Sequence, residues 1–138
     1  MTSESLAISY LKKATTRLKV LTLLLEEGSY SDVVREAQEL VELALKGMLR
    51  SVGIEPPKIH DVGKFLLEHQ SRFPEDIRER LIHLAGISKS LRKDRELAFY
   101  GDIDFIPTEE YSITEAQQAY DGAKIVLDVA TRAIQRSG

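Results

Sequence analysis

Apolar residues return along most of this chain at steps of three and four, the period of a helix with one buried face. Leu6, Tyr10, Leu11, Ala14, Leu18, Leu21 and Leu25 set the first such face and predict a helix from about Glu4 to Glu27. The stretch "EGSYSD" supplies a stop and a restart. Gly28 suits the residue just past a helix end, and a Ser or Asp suits the cap of the next helix. The second helix has the broadest apolar face, through Val33, Val34, Ala37, Leu40, Val41, Ala44, Leu45, Met48 and Leu49. It should end near "SVGIEPPK", where Gly53 and the Pro56-Pro57 pair cannot continue a helix.

A short third helix is read in "HDVGKFLLEHQSRF", with Val62, Phe65, Leu66 and His69 in period and Pro74 closing it. One unbroken helix is then predicted from Pro74 to about Tyr100-Gly101. It has acids behind the proline in its first turn, and Ile77, Leu81, Leu84, Ile87, Ser88 and Leu91 facing inward. "DIDFIPTEEYS" is the substantial loop. The last helix runs from Ile113 to about Gln135 on Ala116, Tyr120, Ala123, Val126, Leu127, Ala130 and Ile134. No stretch alternates like a strand. The fold class is therefore all-α: an up-down four-helix bundle with an additional short helix, its short loops making neighbours antiparallel. The 138 residues make one domain, 1–138, long enough to bury a core without disulfides or metals.

Charge and composition narrow the function. A net charge of -3 argues against a surface that binds nucleic acid all over, but leaves room for a local basic patch. With no cysteine there is no disulfide, thiol nucleophile or thiolate zinc site. His60, His69 and His83 are too scattered for a metal site, and no cofactor motif is present. The N-terminus lacks a signal-peptide pattern, and the apolar run "VLTLLL" is too short to span a membrane, so a cytoplasmic protein is expected.

Three local features remain. Glu42 and Lys46 are four apart, so an acid–base pair on one helix face is expected, either as a plain surface pair or at a site. His60-Asp61 opens the third helix, either as its cap or as a ligand-facing pair. The stretch "ISKSLRKDRELAFYGD" crowds Lys89, Arg92, Lys93 and Arg95 at one helix end, before Tyr100 and Asp102. Basic residues there complement the helix dipole without any function. Alternatively Arg92 and Arg95 hold a phosphate, Tyr100 stacks or hydrogen-bonds, and Asp102 orients them.

Three pieces in order, "REAQELVELALKGMLRSVGIEPPKIHDVGKFL", "LRKDRELAFYGD" and "YSITEAQQAYDGAKIVLDVATRAI", resemble the HEPN domain family (higher eukaryotes and prokaryotes nucleotide-binding). The likeness spans roughly Glu4 to Gln135. Its more specific part is Glu42-x-x-x-Lys46 followed by Gly53 and His60-Asp61. The resemblance implies a helical bundle that forms a homodimer and acts with a separate minimal nucleotidyltransferase, often as a toxin–antitoxin module. It implies binding of nucleotide or RNA, with Arg92, Arg95, Tyr100, Asp102, His60 and Lys46 as the candidate contacts.

A large subset of the family cleaves RNA without metal, using an Arg followed four to six residues later by His. Here Arg95 takes the Arg position, Glu96 follows it, and Tyr100 stands where the His is expected. Histidine titrates near neutrality and can pass a proton either way. A tyrosine of ordinary pKa, about 10, is only about 0.1% ionised at pH 7. The departure keeps binding and weakens catalysis. Two alternatives stand beside the binding subunit: a metal-independent ribonuclease with catalytic Arg95 and Tyr100, and a helical dimer scaffold with no ligand. The resemblance also implies a nucleotidyltransferase that modifies the HEPN subunit near this motif, for which Tyr100 offers a hydroxyl.

Overall fold

The computed structural model describes residues 2–58, 61–100 and 111–137, with 94–100 and 137 described by their backbone alone. Its elements are α1 (Ser3–Glu26), α2 (Tyr30–Ser51), α3 (Val62–Glu68), a 3-10 turn (Gln70–Arg72), α4 (Glu75–Arg78), α5 (Leu81–Tyr100) and α6 (Ile113–Ser137). Among the described residues there is no strand.

Two glycines close the first two long helices in the same way. Gly28 takes φ +74°, its amide donates to the Leu25 carbonyl at 3.2 Å, and the Ser29 amide donates to Leu24 at 3.0 Å. Gly53 takes φ +78°, with Gly53 to Arg50 at 3.0 Å and Ile54 to Leu49 at 2.9 Å. Both are the paired end bonds of a left-handed helix stop, which glycine enters without a Cβ clash. At the second stop Ile54 is buried against the core beside Leu49, adding the apolar contact that such ends favour. The starts of α1 and α6 are capped by side chains. The Ser5 amide donates to Thr2 Oγ1 at 3.0 Å, and the Thr2 amide to Ser5 Oγ at 3.0 Å. At α6 the Ser112 amide donates to Glu115 Oε2 at 2.8 Å.

Contacts along the helices fix their directions. Ser3 Oγ donates to the Arg50 carbonyl at 2.9 Å, and Arg17 meets Glu36 at 2.6 Å, so α1 and α2 are antiparallel. Thr22 Oγ1 and Tyr120 OH share a hydrogen bond of 3.1 Å, late α1 against early α6. At the other end Ala7, Tyr10 and Ile134 all crowd Gly47. Hence α6 is antiparallel to α1 and parallel to α2. The result is an all-α bundle in which α2 packs on α1, α5 and α6. Its face is buried on Val33, Val34, Ala37, Leu40, Val41, Ala44, Leu45, Met48 and Leu49. Each large apolar side chain fully buried there stabilises the fold by about 1.5–3 kcal/mol.

One expected element is divided. The helix read as continuous from Pro74 breaks at Glu79-Arg80 into α4 and α5. The Arg80 amide reaches back only to Ile77, at 2.9 Å, a 3-10 closure that tightens the chain between fully buried Ile77 and Leu81. Pro74 stands at the cap of α4, before Glu75 and Asp76.

Candidate functional site

The third helix is seated by the absence of a side chain. A Cβ built on Gly63 would stand 3.0 Å from the Ala85 Cα and 3.3 Å from its carbonyl oxygen, so α3 and α5 touch nearly backbone to backbone. Val62 and Leu66 go inward with Gly63. The opposite stripe of α3, spaced i, i+3, i+4, i+7, is Asp61, Lys64, Phe65 and Glu68. With Pro57 and Arg92 these residues line a cleft of about 580 Å³ beside α5.

Arg92 reaches this cleft because helical spacing turns its neighbours the other way. Ser88 and Leu91 are buried, Lys89 and Lys93 are exposed, and Arg92 lies at the boundary with a 34% exposed side chain. Its Nη1 stands 3.8 Å from Asp61 Oδ1. That is an ion pair without a direct hydrogen bond, and a partly exposed pair of this kind contributes under about 1 kcal/mol. The same Asp61 oxygen accepts the Lys64 amide at 3.1 Å, capping α3. Phe65 is half-buried, and its ring centroid lies 4.4 Å from that of His69 at a tilt of 43°. His69 Nδ1 donates to the Phe65 carbonyl at 2.9 Å, which pins the imidazole against the phenyl ring. The described lining thus combines an aromatic wall, two cations and two carboxylates.

The sequence-predicted residues divide sharply. Arg92 and Asp61 come together. Lys46 is half-buried on α2 and does not line the cleft. The expected Glu42–Lys46 ion pair is a correction: Glu42 instead accepts Gln38 Nε2, one turn earlier, at 2.5 Å, and no ion pair joins it to Lys46. Gln38 is buried, and its amide takes the carboxylate that the spacing offered to lysine. His60, Asp102 and the side chains of Arg95 and Tyr100 lie outside the described residues. The backbone is helical as far as Tyr100, so positions 95 and 100 stand about 140° apart around the axis. The cleft adds Lys64, Phe65 and Glu68, which were not among the sequence candidates. For Lys64 and Glu68 the signal was the polar stripe opposite Val62 and Leu66.

A second groove, of about 340 Å³, runs between α5 and α6. Gly86, Ile87, Leu91, Ala119 and Gly122 line it together with His83, Ser90, Glu115 and Gln118. No Lys or Arg is among those residues, so it offers an anion little. Among the described residues no group of His, Asp and Glu is placed to hold a metal ion, and no helix is long and apolar enough to cross a membrane.

The HEPN domain family matches this chain over residues 7–134, nearly its whole length. The chain belongs to the HEPN domain family. No curated protein matches it. Membership supports, in general, a function directed at nucleotides or RNA. In this HEPN bundle the α3/α5 cleft adjoins the helix that carries the basic run, with Arg92 the described member of that run that enters it.

Proposed function

We propose that this HEPN chain is a single cytoplasmic helical domain that binds nucleotide or RNA as a homodimer. It acts with a separate minimal nucleotidyltransferase in a two-component, toxin–antitoxin type module. The observation that carries the reading is the cleft that Arg92 lines with Lys64 and half-buried Phe65, Arg92 standing on the helix that continues to Arg95 and Tyr100. Guanidinium and ammonium groups attract phosphate oxygens, and an aromatic wall suits a base. A two-fold dimer would bring two such basic helix ends into one molecule, concentrating positive charge locally although each chain carries a net charge of -3.

The test is a binding titration of end-labelled RNA and of free nucleotides in EDTA, with wild type, Arg92→Gln and Arg95→Ala. Binding lost in either variant, in a protein that still melts normally, supports the reading. Equal affinity in all three proteins removes these residues from the site. Sedimentation at micromolar concentration showing only a 15.5 kDa species would remove the dimer. Intact mass of the chain co-expressed with a neighbouring nucleotidyltransferase tests Tyr100 as an acceptor, and an unmodified mass counts against it.

A ribonuclease reading rests on the Arg95 to Tyr100 spacing. It predicts EDTA-resistant cleavage that Tyr100→Phe abolishes. The helical separation of the two positions favours binding over joint catalysis by one copy.

A further inference from the structure

We propose that the α3/α5 cleft reads a single nucleotide unit, with Phe65 as the base platform and the Asp61–Arg92 ion pair as a gate for its phosphate. The inference rests on the nucleotide- or RNA-binding reading above and assigns residues within it. At about 580 Å³ the cleft is in the range of ligand pockets. Pro57 and Phe65 supply its apolar walls, while Lys64, Glu68, Asp61 and Arg92 supply its polar ones.

The platform is rigid for a stated reason. The His69 ring packs against Phe65 with centroids 4.4 Å apart, and His69 is itself fixed by its bond to the Phe65 carbonyl. A ring braced in this way pays little entropy when a base stacks on it. The gate follows from one distance. At 3.8 Å, Arg92 is near enough to Asp61 to be aimed but makes no hydrogen bond to it. An entering phosphate offers charge-assisted bonds of ordinary length and draws the guanidinium away. Asp61 does not lose its role on release, because it still caps α3 through Lys64. The carboxylates compete with phosphate for the cations, and Glu68 is placed to accept ribose hydroxyls or base amino groups. Two cations against two carboxylates leave no surplus positive charge among the described lining residues. Each added phosphate therefore meets more uncompensated negative charge, which disfavours a triphosphate more than one phosphate.

The experiment is isothermal titration of the full chain with four nucleoside monophosphates, adenosine, ATP, inorganic phosphate and a short single-stranded oligoribonucleotide. It is repeated for Asp61→Asn, Phe65→Leu and Arg92→Gln, each checked by thermal melting. The expected result is a monophosphate bound at least as tightly as ATP and roughly tenfold more tightly than adenosine. Phe65→Leu loses roughly tenfold toward every base-bearing ligand and nothing toward inorganic phosphate. Asp61→Asn keeps the helix cap and binds the monophosphate several-fold more tightly, with adenosine unchanged. A tighter oligoribonucleotide than monophosphate, with the same response to Phe65→Leu, identifies the unit as part of an RNA strand. Undiminished binding by Phe65→Leu, weaker monophosphate binding by Asp61→Asn, or a strong preference for ATP overturns the inference and leaves the general reading standing. Failure of wild type to bind any base-bearing ligand overturns both.

Discussion

A side-chain carbon on Gly63 would stand 3.0 Å from the Cα of Ala85, and that closeness holds α3 against α5. The obstruction is backbone, which cannot swing aside as a flexible side chain can. Gly63→Ala is therefore expected to destabilise the protein by about 1–3 kcal/mol, despite alanine's better helix propensity. Urea unfolding reads this as a lower midpoint. The nucleotide binding proposed for the cleft should fall with it, since the cleft wall moves.

Gly47 and Gly86 make an opposed pair on different helices. A Cβ at Gly47 would meet Ile134 Cδ1 at 3.0 Å, Tyr10 Cβ at 3.2 Å and the Ala7 carbonyl at 3.4 Å, where α1, α2 and α6 converge. A Cβ at Gly86 would meet nothing within 4 Å. Gly47→Ala should lower stability by about 1–3 kcal/mol, while Gly86→Ala should raise it by about 0.5–1 kcal/mol through backbone entropy. Melting curves of the two variants should move in opposite directions.

Asp61 separates into two functions by substitution. Asp61→Ala removes the oxygen that accepts the Lys64 amide, and should cost about 0.5–2 kcal/mol. Asp61→Asn keeps that acceptor and should melt close to wild type. Equal destabilisation by both would mean that the charge opposite Arg92, and not the cap, supports the fold.

Asp76 gives the fold a pH dependence at its acid edge. The Arg136 guanidinium donates to its carboxylate and, by its charge, holds the acid below the ordinary carboxylate range, against a smaller opposing effect of desolvation. A carboxyl depressed in the folded state binds its proton less readily there than in the unfolded chain. Its contribution is present above the usual value of 3.8 and is lost as pH falls through the lower folded value. Arg136→Gln should move the Asp76 titration upward, read by side-chain NMR, and leave stability at neutral pH little changed because the pair is exposed.

The bundle was legible because its faces are long. The apolar residues of α2 and α6 recur over many turns, so a small error in phase does not hide them. The break at Glu79-Arg80 was not legible, since Ile77 and Leu81 keep helical spacing across it and the 3-10 closure leaves no mark in residue type. Arg92 stood out by its basic neighbours. Phe65 did not, because its period with Val62 and Leu66 read as core, whereas a seven-residue helix has room for two faces. The Glu42–Lys46 pairing was read from spacing alone, and a buried glutamine engages Glu42 instead.

The parallel pairing of α2 with α6 has a bearing on synthesis. The α1–α2 hairpin can close as soon as it leaves the ribosome, for its contacts are local and its Gly28 turn is short. The face of α2 meant for α6 has no local partner, and α6 is translated only after the whole of α3 to α5. Through that interval the nascent chain carries a bare hydrophobic strip, the kind of surface that chaperones bind and that aggregates at high expression. Overproduction should therefore be gentler on this protein when expression is kept low, so that fewer bare strips meet, or when the chain is made at low temperature, where hydrophobic association weakens.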